Sequence, residues 1–420
     1  MSPPIPDVRV RTSDSVQNAK TTLPKPVRIP RLYREQNGWC IYSTRLWLAL
    51  EVKNIRHETV LVDSLGDTFD GSLAEQMQPL PCLQLVDNLD LLNASTESSS
   101  VELLLALDDL FPENGPLLVP PEKRDVIAEA IDRYQEATEA LRARQSPRAG
   151  WLFCNEEGFR LDALPRECFE RFLDTVEEAL QHKAAGPFFG GANLTAADVV
   201  YAPLLERYAV QLPCLHDNLR PRDSQRWPKL AEWYSAMDSV PAYTCRIKGD
   251  APSWRKVLFR EPWWPDTDLW HPRETVGPKG ELCLDDTTCV EVYGSVDVSK
   301  FTWQAYAKLR PSIGPTPATQ AALVLLQNYK AVSFDAEQWM KEQGYDESEL
   351  DSLDEDLREI MCALLNIDDG TQSDSEINNL SLALLTYLDS RVCVPRDMGA
   401  PVANCIRQLK FRVDQHRYHR

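Results

Sequence analysis

Apolar and polar residues follow a regular pattern over the early part of the chain. Four short stretches have the pattern of strands, at 31–36, 57–62, 80–86 and 89–92. In each of them apolar and polar residues alternate, or a continuous apolar run stands between turn residues. Apolar residues recur at helical spacing at 41–53 and 96–111. Strand, helix and strand in succession predict a β-α-β unit with parallel strands. We therefore predict an α/β domain over 31–111.

The pattern becomes helical after a stretch at 112–121 that is rich in proline, glycine and leucine and is typical of a linker. Apolar residues recur every three or four positions over 126–141 and 169–180, as in amphipathic helices. Thr195 and Asp198 then precede an apolar run in the spacing of a helix capping box. An all-helical domain that ends near residue 250 follows from these observations.

The remaining parts of the chain are less regular. Residues 251–300 are rich in proline, have little periodicity, and contain Trp254, Trp263, Trp264 and Trp270. Because dense tryptophans are stable only when buried, we expect an irregular segment packed on the preceding helices, the alternative being an aromatic wall for a hydrophobic substrate. Helical patterns resume in 301–420, which we interpret as a helical extension. Residues 1–30 are interpreted as a disordered tail, the alternative being a remnant transit peptide.

Composition narrows the range of functions. The chain has 420 residues, a formal net charge of -19, 43% hydrophobic residues and 26% charged residues. This excess of acids argues against nucleic acid or an anionic membrane as partner, and no apolar run has the length that a membrane span needs. The eleven cysteines form no C-x-x-C pair, and no histidine stands near them at the spacing of metal ligands. We expect reduced thiols and no metal site.

Cys40 stands where the first predicted strand leads into the first predicted helix. Free amide donors and the helix dipole favour an anion at such a junction. We therefore expect a lowered pKa for the Cys40 thiol and a role as nucleophile. The alternative is a partly buried, inert cysteine, since free cysteines are among the most buried residues.

The sequence around Cys40 resembles the start of the cysteine-type glutathione transferases, which include the omega, lambda and dehydroascorbate-reductase classes. Their motif is Cys-Pro-Phe/Tyr-x-x-Arg before an apolar helix. Cys40, Tyr42 and Arg45 stand at three of its positions, and Ile41 replaces the proline. The resemblance implies that Cys40 is catalytic and that Tyr42 and Arg45 contact glutathione.

Four more residues resemble glutathione contacts of this family: Leu80, Pro81, Glu97 and Ser98. Leu80-Pro81 resembles a Val-Pro pair with a cis proline, which before an edge-facing strand would present the Leu80 backbone to the tripeptide. Glu97-Ser98 resembles the Glu-Ser pair that holds the γ-glutamyl end at a helix N-terminus. The alternative is a pair that only caps its helix. The family's Asn-Pro-x-Gly-Lys lead is replaced at 75–79 by a sequence without glycine or lysine.

The resemblance also implies a fold for each part of the chain. It implies a thioredoxin-like α/β domain over 31–111 and the all-α glutathione-transferase C-terminal domain over 112–250. Thr195 and Asp198 match the capping box of the family's C-terminal domain. The irregular segment at 251–300 and the mostly helical region at 301–420 follow, and the family does not account for them.

Two hypotheses for function follow from the resemblance. The first is an enzyme that uses glutathione as substrate for thiol transfer or reduction of a small electrophile or disulfide, through a mixed disulfide at Cys40. The second is a binding or assembly module without turnover, with a protein partner at 301–420. The family includes dimers and monomers, so a homodimer is one of two options. A reducing compartment favours the cytoplasm, and the acid-poor start leaves the plastid stroma as an alternative.

Overall fold

The computed structural model describes residues 10–11, 29–35, 38, 40–62, 80–85, 91–93, 96–142, 165–181, 186–216, 219–254, 298–345, 350, 352–367 and 381–418. These residues fall into two compact units. The first ends at Asp238 and the second begins at Ser239. Among the helices of these ranges, none is both long and apolar enough to cross a membrane.

The first unit begins with a five-stranded sheet. Its strands are β1 (Val10–Arg11), β2 (Arg31–Glu35), β3 (Glu58–Val62), β4 (Cys82–Gln84) and β5 (Leu91–Asn93). Their order in the sheet is β1-β5-β4-β2-β3. β2 and β3 are parallel, which confirms the predicted β-α-β unit, while β4 is antiparallel to both β2 and β5. Leu32 and Leu83 face each other across β2 and β4 and are completely buried.

Within the described residues, the helices α1 (Ile41–Val52) and α2 (Glu97–Leu110) pack with this sheet. Leu46, Leu48 and Leu50 of α1 are buried although they point in different directions around the helix. The reason is that α1 contacts β2, α2 and a helix of the following domain. The helix ends where Asn54 adopts the left-handed conformation (φ 51°), which asparagine tolerates better than most residues.

The first unit continues with α-helices in its described parts, in agreement with the periodicity. They are α3 (Arg124–Arg142), α4 (Arg166–Gln181), α5 (Ala196–Leu215) and α6 (Pro228–Asp238). α5 contacts α1 and α3, and α4 contacts α3 and α6. Val199, Val200 and Leu205 of α5 are completely buried, so this helix forms the centre of the domain.

The second unit is mostly helical, in agreement with the predicted extension. A π-helical turn at Tyr243–Ile247 is followed by α7 (Lys300–Lys308), α8 (Pro317–Gln327), α9 (Tyr329–Glu342), α10 (Leu353–Asn366), α11 (Leu382–Arg391) and α12 (Ala400–Tyr418). Its core includes the completely buried Leu357, Ile360, Leu384 and Leu409. The described helices of this unit therefore share one apolar core.

Residues 239–254 pack with the C-terminal helices, a grouping that the sequence pattern does not predict. The Ser253 hydroxyl accepts from the Val394 amide at 3.0 Å, and Arg246 donates to the Pro395 carbonyl at 2.6 Å. Gly399 lies against the Cys245 carbonyl so closely that a Cβ atom would clash with it. The loop before α12 thus fixes this segment to the second unit.

Candidate functional site

Cys40 is the N-cap residue of α1 and has an extended backbone (φ -70°, ψ 116°). Its Sγ accepts a hydrogen bond from the Ser43 amide at 3.4 Å. Its carbonyl accepts from both the amide and the hydroxyl of Thr44, each at 3.0 Å. The residue as a whole is half-buried at the junction of strand and helix, where the sequence places it.

The expectation of a lowered pKa for Cys40 is wrong. Burial raises the pKa of this thiol above its ordinary value, and the negative charge of Glu35 raises it further. Hydrogen bonds from Ser43 and from the Tyr42 amide act in the opposite direction without overcoming the effect of burial. The helix N-terminus therefore supplies donors for a thiolate, while the surroundings favour the neutral thiol.

Two buried charged residues that the sequence pattern does not single out, Glu35 and Arg207, interact electrostatically with Cys40. Their exposed fractions are 3% and 2%. Arg207 Nη2 donates to the carbonyl of Gly38 at 3.4 Å, two residues before Cys40. Burial lowers the pKa of Arg207 to about 10, against the charges of Glu206, Cys40 and Glu35. The feature of the sequence that could have identified Arg207 is the pair of adjacent charged residues, Glu206 and Arg207, within an apolar run.

Arg45 is completely buried at the meeting point of three helices. Its Nε donates to the Val200 carbonyl of α5 at 3.1 Å, and its Nη1 donates to the Ser100 hydroxyl of α2 at 3.2 Å. The guanidinium also lies 4.9 Å from the Tyr134 ring centre and 5.6 Å from that of the half-buried Tyr42. These contacts join α1 to its neighbours, and the contact of Arg45 and Tyr42 with glutathione stays a prediction.

Leu80 and Pro81 precede β4 and are joined by a cis peptide bond. Leu80 is half-buried and Pro81 is buried. The expected edge position of this strand is wrong, because β4 pairs with β2 on one side and β5 on the other. Leu80 lies before the first paired residue, Cys82, so a peptide could reach the Leu80 backbone only at the end of the strand.

Glu97 and Ser98 are the first two residues of α2, and neither of them caps it. Thr96 is the N-cap: its Oγ1 accepts from the Ser99 amide at 3.1 Å, and the Ser99 hydroxyl accepts from the Thr96 amide at 3.0 Å. Ser98 is exposed in the first turn. The N-cap function therefore belongs to Thr96, and the exposed Ser98 stands at the helix N-terminus, where its contact with glutathione stays a prediction.

Thr195 and Asp198 form the predicted capping box of α5, which is confirmed. The carboxylate of Asp198 is completely buried and accepts from the Thr195 amide at 2.8 Å and the Thr195 hydroxyl at 2.9 Å. It also accepts from the Phe189 amide at 3.1 Å and Trp233 Nε1 at 2.9 Å. Burial raises the pKa of Asp198 to about 6, although these donors lower it.

The register of the strands shows which ends of β2, β4 and β5 lie together, and three of the predicted site residues stand next to these ends. Tyr33, Cys82 and Asn93 are paired in one row across β2, β4 and β5. This row crosses β2 at its middle residue, β4 at its first residue and β5 at its last residue. Because Cys40 follows β2, Pro81 precedes β4 and Ser98 follows β5, all three lie at the same end of the sheet.

Several predicted features lie outside the described residues. These are the 75–79 lead, most of the 1–30 tail, the side chain of Glu97, and Trp263, Trp264 and Trp270. Trp254 is described and is buried, as expected for a packed tryptophan. Within the described parts of the chain, no group of three or more His, Cys, Asp or Glu residues is placed to hold a metal ion.

Residues 160–236 match the family model described as glutathione S-transferase, C-terminal domain. The first unit has a glutathione-transferase-like fold. The matched residues span the described parts of α4, α5 and α6, and therefore include the capping box of Asp198.

Comparison with solved structures gives similar glutathione transferases at low identity. A trimeric glutathione transferase from Leishmania, TDR1, is 20% identical with a TM-score of 0.39 and covers 51% of this chain and 44% of that chain. Glutathione transferase Omega 3C from Trametes versicolor is 19% identical (TM-score 0.37; 54% of this chain, 85% of that chain). Dehydroascorbate reductase from Chlamydomonas reinhardtii is 18% identical (TM-score 0.36; 52% and 92%). No curated protein matches this sequence significantly.

Proposed function

We propose that this chain is a cysteine-type glutathione transferase that binds glutathione at the sheet end defined by Cys40, Pro81 and Ser98. The observation that supports the proposal is the row of paired residues Tyr33, Cys82 and Asn93, because it shows that the strands next to Cys40, Pro81 and Ser98 are neighbours in the sheet. A nucleophile, an accessible backbone segment and a helix N-terminus are then available to one ligand. Glutathione has a thiol, a peptide backbone and a γ-glutamyl carboxylate, which correspond to these three features.

Each end of glutathione would meet a group suited to it. The first-turn amides of α2 and the Ser98 hydroxyl would take the γ-glutamyl carboxylate, and Glu97 would take the ammonium. The backbone of Leu80 would pair with the cysteinyl residue of the tripeptide. Tyr42 would line the site, and Arg45 would act from within the domain by holding α1 on α2 and α5.

The reaction would proceed by two thiol–disulfide exchanges. The Cys40 thiolate attacks the glutathione sulfur of a mixed disulfide, so that a Cys40–glutathione disulfide forms and the substrate leaves as a thiolate that takes a proton. A second glutathione thiolate then attacks the glutathione sulfur of this intermediate and releases glutathione disulfide and Cys40. The Ser43 amide, 3.4 Å from Cys40 Sγ, stabilises the thiolate in both steps.

The second substrate would be a small disulfide or electrophile. A Cys40 thiol would persist only in a reducing compartment, which favours the cytoplasm or the plastid stroma. A homodimer and a protein partner at 301–420 are further proposals.

The raised pKa of Cys40 favours a second candidate function, a glutathione-transferase-like binding or assembly module without turnover. In such a module Cys40 would stay a neutral thiol at physiological pH. The chain would then bind glutathione or a protein but would form no mixed disulfide.

Mass spectrometry and kinetics with matched variants would test the first proposal. Full-length chain is incubated with glutathione disulfide, the site of the glutathione adduct is mapped, and glutathione-dependent reduction of a small disulfide is measured. We expect the adduct on Cys40 and a loss of activity of at least about 100-fold in Cys40→Ser. Cys362→Ser removes an exposed thiol and should leave activity unchanged. Unchanged activity in Cys40→Ser would refute the mechanism, and glutathione binding without turnover would favour the module.

A further inference from the structure

The first turn of α1 contains a buried hydroxyl beside Cys40. Ser43 is the third residue of α1 and is only 1% exposed. Its amide donates to Cys40 Sγ at 3.4 Å, so Cys40 and Ser43 stand as N-cap and N3 residues of this helix. Among the described residues, the Ser43 hydroxyl completes no hydrogen bond. Because a buried hydroxyl without a partner costs stability, the fold alone does not explain its presence here.

Other hydroxyls at helix starts of this protein do have partners. The neighbouring Thr44 hydroxyl donates to the Cys40 carbonyl at 3.0 Å. Ser99 is the N3 residue of α2, and its hydroxyl oxygen lies 3.0 Å from the amide nitrogen and 2.8 Å from Oγ1 of the N-cap residue Thr96. An N3 hydroxyl therefore reaches the side chain of its N-cap residue, and in α1 the corresponding atom is Cys40 Sγ.

The charge of the sulfur decides how strongly it accepts a hydrogen bond. A neutral thiol is a weak acceptor, whereas a thiolate accepts a charge-assisted hydrogen bond. The Ser43 side chain is one of the groups that lower the pKa of the Cys40 thiol, in agreement with its place beside the sulfur. The amide and the hydroxyl of one residue are thus available to Cys40 Sγ when it becomes charged.

We propose that the Ser43 hydroxyl is a catalytic hydrogen-bond donor that binds the Cys40 sulfur whenever this sulfur carries negative charge. The inference rests on the proposed exchange at Cys40 and adds a residue at a position that the Cys-Pro-Phe/Tyr-x-x-Arg motif leaves open. In the first exchange the hydroxyl and the Ser43 amide hold the attacking thiolate, and in the second they hold the Cys40 thiolate that leaves. The hydroxyl keeps its proton, so the bonds made and broken remain those of the two exchanges.

Charged groups of neighbouring elements also act on this sulfur. Glu35 of β2 disfavours the thiolate, and Arg207 of α5 interacts with the charge of Cys40. Replacing Ser43 by alanine removes a neutral donor and leaves both charges in place. Thr44 offers the matched control, because its hydroxyl is also buried in the first turn but contacts the carbonyl of Cys40 instead of the sulfur.

The test is the pH dependence of iodoacetamide alkylation at Cys40, read by peptide mass spectrometry in the full-length chain. Ser43→Ala should raise the midpoint by about one pH unit, because it removes a hydrogen bond to the thiolate. The rate at pH 7 should fall only about threefold, since the smaller thiolate fraction is partly offset by a more nucleophilic thiolate. Well above the midpoint the variant should react faster than the wild type for the same reason. Thr44→Val should move the midpoint by less than about 0.3 unit.

An unchanged or lowered midpoint in Ser43→Ala would overturn the inference, and so would an equal rise in Thr44→Val. Thermal melts show that both variants are folded. Loosening of α1 would expose the thiol and lower the midpoint, which is opposite to the expected direction. Alkylation requires no glutathione. A raised midpoint in a chain that does not bind glutathione would therefore support the donor and remove the proposed function, whereas a glutathione adduct on Cys40 with an unchanged midpoint would do the reverse.

Discussion

The ammonium of Lys53 is completely buried and donates to Asp108 Oδ1 at 2.7 Å. Lys53 follows α1, and Asp108 lies in the last turn of α2. The same carboxylate accepts from the amides of Leu118 and Val119, at 3.1 and 2.8 Å, where the chain passes into the helical domain. One ion pair thus joins both helices of the α/β domain to the linker, on the scaffold that positions Cys40.

Replacing Lys53 by methionine should lower the free energy of unfolding by about 3 kcal/mol, because it leaves the Asp108 carboxylate, whose side chain is only 11% exposed, without its cation. Denaturant unfolding of the full chain measures this. Arg31→Met is the matched control, since the Arg31–Glu58 pair is exposed and its loss should change stability by less than about 1 kcal/mol. Equal effects of the two substitutions would show that the Lys53 pair contributes no more than a surface contact.

Asp198→Asn should destabilise the chain by about 2–4 kcal/mol. Each oxygen of Asp198 accepts two hydrogen bonds, so either orientation of an asparagine directs its NH2 group at two donors. Thermal and denaturant unfolding would measure the loss. Asp223→Asn is the control, because Asp223 is exposed and accepts from the Gln225 amide, and a change below about 1 kcal/mol is expected. A neutral effect of Asp198→Asn would mean that the capping box does not support α5.

The sequence predicts the β-α-β unit and the start of α5, because both depend on residues that are close together in the chain. The alternation around Leu32 and the helical run after Cys40 predict a parallel β-α-β unit because side-chain period and connection handedness are local constraints. Thr195 and Asp198 predict a helix start because a capping box spans only four residues. The position of β4 inside the sheet depends on pairing with β5, which the sequence of β4 alone does not specify.

The electrostatics of the site could not be predicted in the same way. The donors around Cys40 come from its own helix and follow from its position at the N-terminus. Burial of the thiol and the charge of Glu35 do not follow from the motif, and the contact of Arg207 with the Gly38 carbonyl comes from a residue that is distant in sequence. The sign of a pKa shift is decided by the larger of these opposing effects, and a local motif shows only one of them.

The wild-type Cys40 thiol should be alkylated with a midpoint above the value of about 8.5 for an ordinary thiol. The upward direction of this pKa shift follows from burial and from the charge of Glu35. Both disfavour the thiolate, and together they outweigh the hydrogen bonds from Ser43. The rate at pH 7 should therefore be lower than that of a small free thiol and should still be rising at pH 8.5. Peptide mapping separates Cys40 from the exposed Cys362. A midpoint below 8.5 would contradict this ordering of effects.

Two neighbouring serines at the start of α2 allow binding to be separated from stability. Ser98 is exposed in the first turn, whereas the Ser99 hydroxyl closes the capping box with Thr96. Ser98→Ala should therefore weaken glutathione binding about tenfold, by removing a hydrogen bond to a carboxylate, and change stability by less than about 0.5 kcal/mol. Ser99→Ala should lower stability by about 1 kcal/mol and leave affinity within about twofold. Calorimetric titration and denaturant unfolding of both variants measure this. If Ser98→Ala binds glutathione as tightly as the wild type, the γ-glutamyl end is not held at α2, because the matched Ser99 variant accounts for any effect of the helix itself.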